Sequence, residues 1–415
     1  MIRLRIVSGK IKLIVAVGLV LAISLCAGCA PVQSFGKNIS SIVNPYRFSI
    51  LNWELKTLLG GDRQSNTGEN IEDEPSQVAE YFSLVEGINA LKSEIKAINN
   101  GDRQGDLITL EAESNMLEEQ RAELEDAVRI ILIRQIAEAL AEQGIFNPVD
   151  RYMRLKIGFP PVNFKLEPPP YLLVVSPRDR IESIKEVTLK QDISLEEMEN
   201  IEAEVDELGV SSLVVKLGGF GGTYPTFVVN NASLRFTLDT ATEEWLHQYL
   251  VFKPLGFLYL LDVTGVSRNY DIATMNETAA GMVSKEIGTI IYEKYYSQCE
   301  NGGNEPGGIE SGLDFNREMR EIRLAVDMYL AQGEIELAED YMEQKRLYLA
   351  SNGYYIRKLN QAYFAFHGTY ADKPTSVSPI GVELKQLRSQ SASLKDFLDA
   401  VSGMTSHQDL INSIK

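Results

Sequence analysis

The stretch ATEEWLHQYLVF (241–252) places one of only three histidines in a 415-residue chain directly behind a pair of glutamates. Read as a helix, it puts Glu243 and His247 one turn apart on a shared face, because residues i and i+4 stack along an α-helix. Two such side chains can hold one ion between them, and Glu244, one step around the helix, would flank it. This is the spacing logic of H-E-x-x-H, where the outer residues ligate zinc and the inner glutamate activates water. Here the outer pair is Glu and His, and a carboxylate also ligates zinc. The same text admits plainer readings. Thr240-Ala-Thr-Glu243 has the form of a capping box, which would tie Glu243 to the backbone at a helix start. His247 taken alone is equally a satisfied surface or core histidine.

Further along, Met275-Asn276-Glu277-Thr278-Ala279-Ala280, followed by Gly281, reads as the start of another helix. Asn276 is a natural cap there, and Glu277 a first-turn glutamate that complements the helix dipole. Together, E-E-W-L-H-Q (243–248) and N-E-T-A-A (276–280) resemble the bacterial putative aminopeptidases of the gluzincin type, whose pattern is H-E-x-x-H-Q followed by N-E-x-x-A. The later stretch Arg357-Lys-Leu-Asn-Gln-Ala-Tyr363 is similar to the C-terminal helix of that family, so the resemblance spans residues 235–370. It implies a zincin-like α+β core, with Glu243, His247 and Glu277 as zinc ligands and Glu244 as general base for hydrolysis of a peptide or protein substrate. It also implies an edge strand for extended substrate, for which Gly222–Asn230 is in place. Tyr363, His367 and Tyr370 are the candidates for an oxyanion donor. Two carboxylates and one imidazole make a harder ligand set than usual, so manganese or another divalent ion competes with zinc. A scaffold that has lost its ion, acting as an envelope binding protein, is the alternative that Glu243 leaves open.

The flanking text has α+β order. Tyr171–Val175 is a buried-strand run, Ser194-x-x-Glu197 is a capping box opening a helix to Leu208, and Val210–Leu217 and Thr226–Val229 are strands. The run Gly218–Gly222 lies between strands rather than before a helix, so it reads as a flexible hairpin connection and not a phosphate cradle. Upstream, Tyr81, Leu84, Ile88, Leu91, Ile95 and Ile98 alternate spacings of three and four, while Leu110, Leu117, Leu124 and Ile131 keep a seven-residue step. With the breaker Asn99-Asn100-Gly101-Asp102 between them, these predict an antiparallel coiled-coil hairpin over 76–145. The zincin-like core is expected over 146–300. The C-terminal helical region, 301–415, opens with the loop NGGNEPGG (301–308) and continues as helices from Asp314, Glu334 and Ile356. Tyr292, Tyr295 and Tyr296 read as packing.

The chain opens with Arg3, Arg5, Lys10 and Lys12 before the apolar run Leu13–Leu25, shorter than the roughly 20 residues of a spanning helix. This predicts a signal peptide over 1–28. Ala27-Gly28-Cys29 resembles a lipoprotein lipobox with Cys29 as the lipidated residue, although Cys26 stands where such boxes carry Leu. The rest would then lie outside the cell membrane, held by a lipid or anchor through a polar tether over 29–75. Loss of the four basic residues and no acidic ones takes the formal net charge from −18 to −22. Such a surface repels nucleic acid. Only Cys299 remains beyond Cys29, so no intrachain disulfide is available.

Overall fold

A computed structural model of the protein describes residues 34–50, 53, 73–101, 103–148, 156–298 and 313–414. The signal segment, Cys29, Cys299 and the 301–308 loop lie outside the described residues. Among the described residues no helix is long and apolar enough to cross a membrane. The architecture is mixed α+β and mostly helical. In chain order the elements are α1 (Ser34–Val43), α2 (Glu74–Asn99), α3 (Leu107–Glu142), β1 (Phe164–Leu166), β2 (Tyr171–Pro177), β3 (Lys185–Leu189), α4 (Leu195–Asp206), β4 (Val210–Lys216), β5 (Gly219–Phe220) and β6 (Thr226–Val228). There follow α5 (Leu234–Leu250), α6 (Pro254–Val263), α7 (Tyr270–Tyr295), α8 (Phe315–Ala331), α9 (Ile335–Ser351), α10 (Gln361–His367), α11 (Ile380–Gln390), α12 (Leu394–Ser402) and α13 (His407–Ser413).

Two small sheets frame the site. One has order β3-β2-β4, all antiparallel, and α4 covers one face through Met198, Ile201 and Val205. The Ser194–Glu197 capping box opens α4 reciprocally, as the sequence predicts. The other sheet has order β1-β6-β5, with β1 parallel and β5 antiparallel to β6. Thr226–Val228, expected within the substrate edge, is therefore the central strand. β1 and β5 are the edge strands, and β5 is built from the glycine run that the sequence suggested was only a connection.

Helices α2 and α3 run antiparallel, with Lys92 2.6 Å from Glu118 and Arg134 donating to Glu74 at the far end. The pair is not a separate module. Its lower half, from Val78 and Val85 to Ile131, Ile136 and Leu140, belongs to the same core as α5, α7 and the C-terminal helices α11–α13. The Tyr296 hydroxyl donates to Gln135 at 2.6 Å across that junction, so the tyrosine cluster packs as expected. The C-terminal region accordingly divides: α8 to α10 form a core of their own around Met319, Ile322, Met342 and Phe364. A tether over 29–75 is also corrected for residues 34–50. Ile39 and Val43 of α1 are buried in one cluster with Val187, Leu189 and the apolar face of α4, because removing these apolar side chains from water is favourable.

Candidate metal centre

The centre lies where α5 crosses α7. α5 begins much earlier than its Thr240 signal suggests: Ser233 is the cap, its hydroxyl accepting from the Phe236 amide at 3.3 Å. Glu243 therefore sits in the helix middle, where backbone amides are already paired, and the capping-box reading of Thr240 and Glu243 fails. α7 likewise starts at Asn269, which accepts from the Ile272 amide at 3.1 Å, so Asn276 and Glu277 are two turns inside the helix and buried. The first-turn reading of Glu277 falls for the same reason. Gly288 lets the helices approach, since a Cβ there would overlap the Asp239 carboxylate, while at Gly281 a Cβ would make only an ordinary 3.7 Å contact with Glu243 Oε1.

The crossing brings Glu243, His247 and Glu277 together, each offering an atom within 4.8 Å of the others. This group could hold a metal ion. His247 Nε2 lies 3.7 Å from Glu277 Oε2, and the Tyr259 hydroxyl on α6 donates to Glu277 Oε1. The Tyr259 ring also stacks on His247, centroids 5.6 Å apart. Ligands at about 2 Å in a tetrahedral set stand roughly 3.3 Å apart, so the widest separation must contract as an ion enters. Three features of the donor set fit a cation. Glu243 Oε1 is buried without a hydrogen-bond partner. Burial, and then the Glu277 charge, pushes the Glu243 carboxyl up to about 8, a strain that a divalent charge would relieve. Third, Asn276 Nδ2 is 2.9 Å from His247 Nδ1 while its Oδ1 is buried and unpartnered. Turning that amide over would let Oδ1 accept from Nδ1–H, leaving the Nε2 lone pair for an ion, the usual arrangement around a ligating histidine.

Glu244 faces the underside of β5. Cβ atoms on Gly219 or Gly221 would collide with its carboxylate, so glycine is what lets strand and glutamate meet. The Gly221 amide hydrogen-bonds Glu244, and Gln248 fixes the same loop by donating to Gly221 O at 3.2 Å and Thr223 O at 2.7 Å. Burial first, then the charges of Glu243 and Glu277, holds Glu244 well above the usual carboxylate range. Glu244, His247, Glu277, Tyr259 and Tyr370 line one cavity of about 660 Å³.

Of the three donor candidates only Tyr370 lines this cavity, its hydroxyl pushed upward by burial and then by Glu277, Glu243 and Glu244. Tyr363 and His367 pack on each other, centroids 4.3 Å apart, away from the lining. His367 is held neutral, down to about 4, by burial and by Lys373. α10 starts only at Gln361 with Asn360 as its cap, so a helix from Ile356 is not formed. Tyr259, Gln248 and the β5 glycines escape the sequence reading. The apolar run of α6 advertises nothing about Tyr259, whereas a glycine cluster between strands beside a glutamate pair is a signal of close approach. Comparison with protein-family models, with curated proteins and with solved structures returned no match.

Proposed function

We propose that this chain is a metallopeptidase of gluzincin-like design, with a zincin-like core, that hydrolyses peptide bonds at a divalent ion held by Glu243, His247 and Glu277. The observation that carries the reading is the convergence of these three side chains, from two helices, beside a cavity with Glu244 on its wall. When bound there, zinc or manganese would supply Lewis acidity to a peptide carbonyl and acidify water. Glu244 is the general base: it stands on the cavity wall beside His247 and Glu277, where it would take a proton from water and return it to the leaving amine. The Gly221 amide orients that carboxylate. Tyr370, and Tyr259 once released from Glu277, are the hydroxyl donors available to a developing oxyanion. The resemblance to a lipobox supports an extracytoplasmic, lipid-anchored location through Cys29, and the heptad rows of α2 and α3 support a coiled-coil seam.

Metal analysis of the purified chain tests the reading. One equivalent of divalent ion is expected, lost in Glu277→Ala, together with hydrolysis of an unstructured peptide that Glu244→Gln abolishes while the ion stays. Protein free of ion after zinc titration, with unchanged melting on chelation, would instead mark a silent binding scaffold. The presence of Glu243 at the position of the usual first histidine favours that second reading.

A further inference from the structure

The inference rests on the hydrolytic reading above and concerns which peptides the site takes. Val229 N–H donates to Gly218 O at 2.9 Å, and Gly219 pairs with Val228. In antiparallel alternation Gly219 is then a non-hydrogen-bonded position, and its own N–H and C=O point away from β6 along the free edge that borders the cavity. A peptide extended on that edge projects successive side chains to opposite faces of β5. One face is filled by Glu244 beneath Gly219 and Gly221. The other carries the paired rings of Phe220 and Phe227.

A segment from far upstream completes that second face. Tyr46–Phe48 adds to the edge of β3: Lys190 N–H donates to Tyr46 O at 2.8 Å, Phe48 N–H to Thr188 O at 3.0 Å, and Arg47 bridges Leu189. The chain then crosses to the second sheet. Phe48 meets Phe220 and Phe227 edge-on, centroids 6.4 and 6.1 Å away, and the Trp53 ring lies 4.4 Å from Phe227. Phe48 and Ile50 line the same cavity as Glu244 and His247, alongside Phe220. We propose that Phe48, with Ile50 and Phe220, forms a side-chain subsite that selects peptides bearing a large apolar residue beside the cleaved bond.

The test is a set of quenched-fluorescent hexapeptides, identical except for Phe, Leu, Ser or Glu at either position flanking the cleaved bond, given to the zinc-loaded full chain. At one of the two positions Phe or Leu is expected to exceed Ser and Glu by about tenfold in kcat/KM, the scale of an apolar pocket. Phe48→Ala should shrink that ratio at least threefold, through KM rather than kcat. Phe48→Leu, a milder change that guards against misfolding, should keep the apolar preference and move the optimum to bulkier residues. Hydrolysis with equal selectivity in wild type and both variants overturns the subsite and leaves the hydrolytic reading standing. No hydrolysis of any peptide overturns both.

Discussion

Glu243, Glu244 and Glu277 gather three carboxyl groups beside a single cavity; after burial, the Glu277 charge raises the proton affinity of Glu243, and the Glu243 and Glu277 charges raise that of Glu244. Such a cluster is stable only if protons or a cation share it. The glycines of β5 keep Glu244 in this cluster. Gly219→Ala is expected to displace the carboxylate, lowering peptide hydrolysis at least about tenfold while zinc content is retained; kinetics alongside metal analysis checks this. His367 offers a separate titration. Its folded value of about 4 lies below the ordinary 6.5, so the neutral form is the one the fold favours. The stability this contributes is complete above pH 6.5 and is lost as pH falls toward 4. Melting curves between pH 7 and 4.5 should therefore show a steeper loss in wild type than in His367→Gln.

At the scale of elements, the crossing of α5 and α7 decides the site. Gly281 and Gly288 are seven residues apart, two turns of α7, and both face α5. Gly288→Val would push the helices apart where Asp239 now lies, and overpacking of this kind costs about 1–3 kcal/mol. Chemical denaturation should show that loss, and a zinc titration should show weakened affinity because Glu243 and Glu277 separate. The boundaries of these helices were hidden because capping signals are short-range. Thr240 and Glu243 satisfy a capping pattern, yet Ser233 captures the helix start because the intervening Leu234–Asp239 turns bury Thr237 and Leu238 on the core side. The α2–α3 pair was legible from its heptads, whereas the Gln135–Tyr296 hydrogen bond where it seats on the α7 end is marked by no periodicity.

For the whole molecule, one core joins the α2–α3 pair, α5, α7 and α11–α13, so the two helices that carry Glu243, His247 and Glu277 are clamped from both ends of the chain. Ion binding should then register as global stability. At free zinc one hundred times its Kd, the gain is about 2.7 kcal/mol, and calorimetry should find the melting temperature raised by zinc and restored by chelator. The N-terminal segment is part of this unit as well. Ile39→Asp, which buries a charge between α1 and α4, is expected to lower the melting temperature and loosen the Phe48 wall, seen as faster hydrogen exchange at Phe48.

The sequence by itself determined the mixed α+β order, the antiparallel pairing of α2 with α3, and the three residue types that meet at the site. These follow from periodicity and from i, i+4 spacing, which are local properties of the chain. Tertiary structure alone decided that Glu243 is mid-helix, that Asn276 addresses His247, that β5 is an edge strand, and that Phe48 stands beside the cavity. Each of these depends on contacts between residues distant in the chain, and the burial that selects among such contacts is a property of the assembled core rather than of any local pattern.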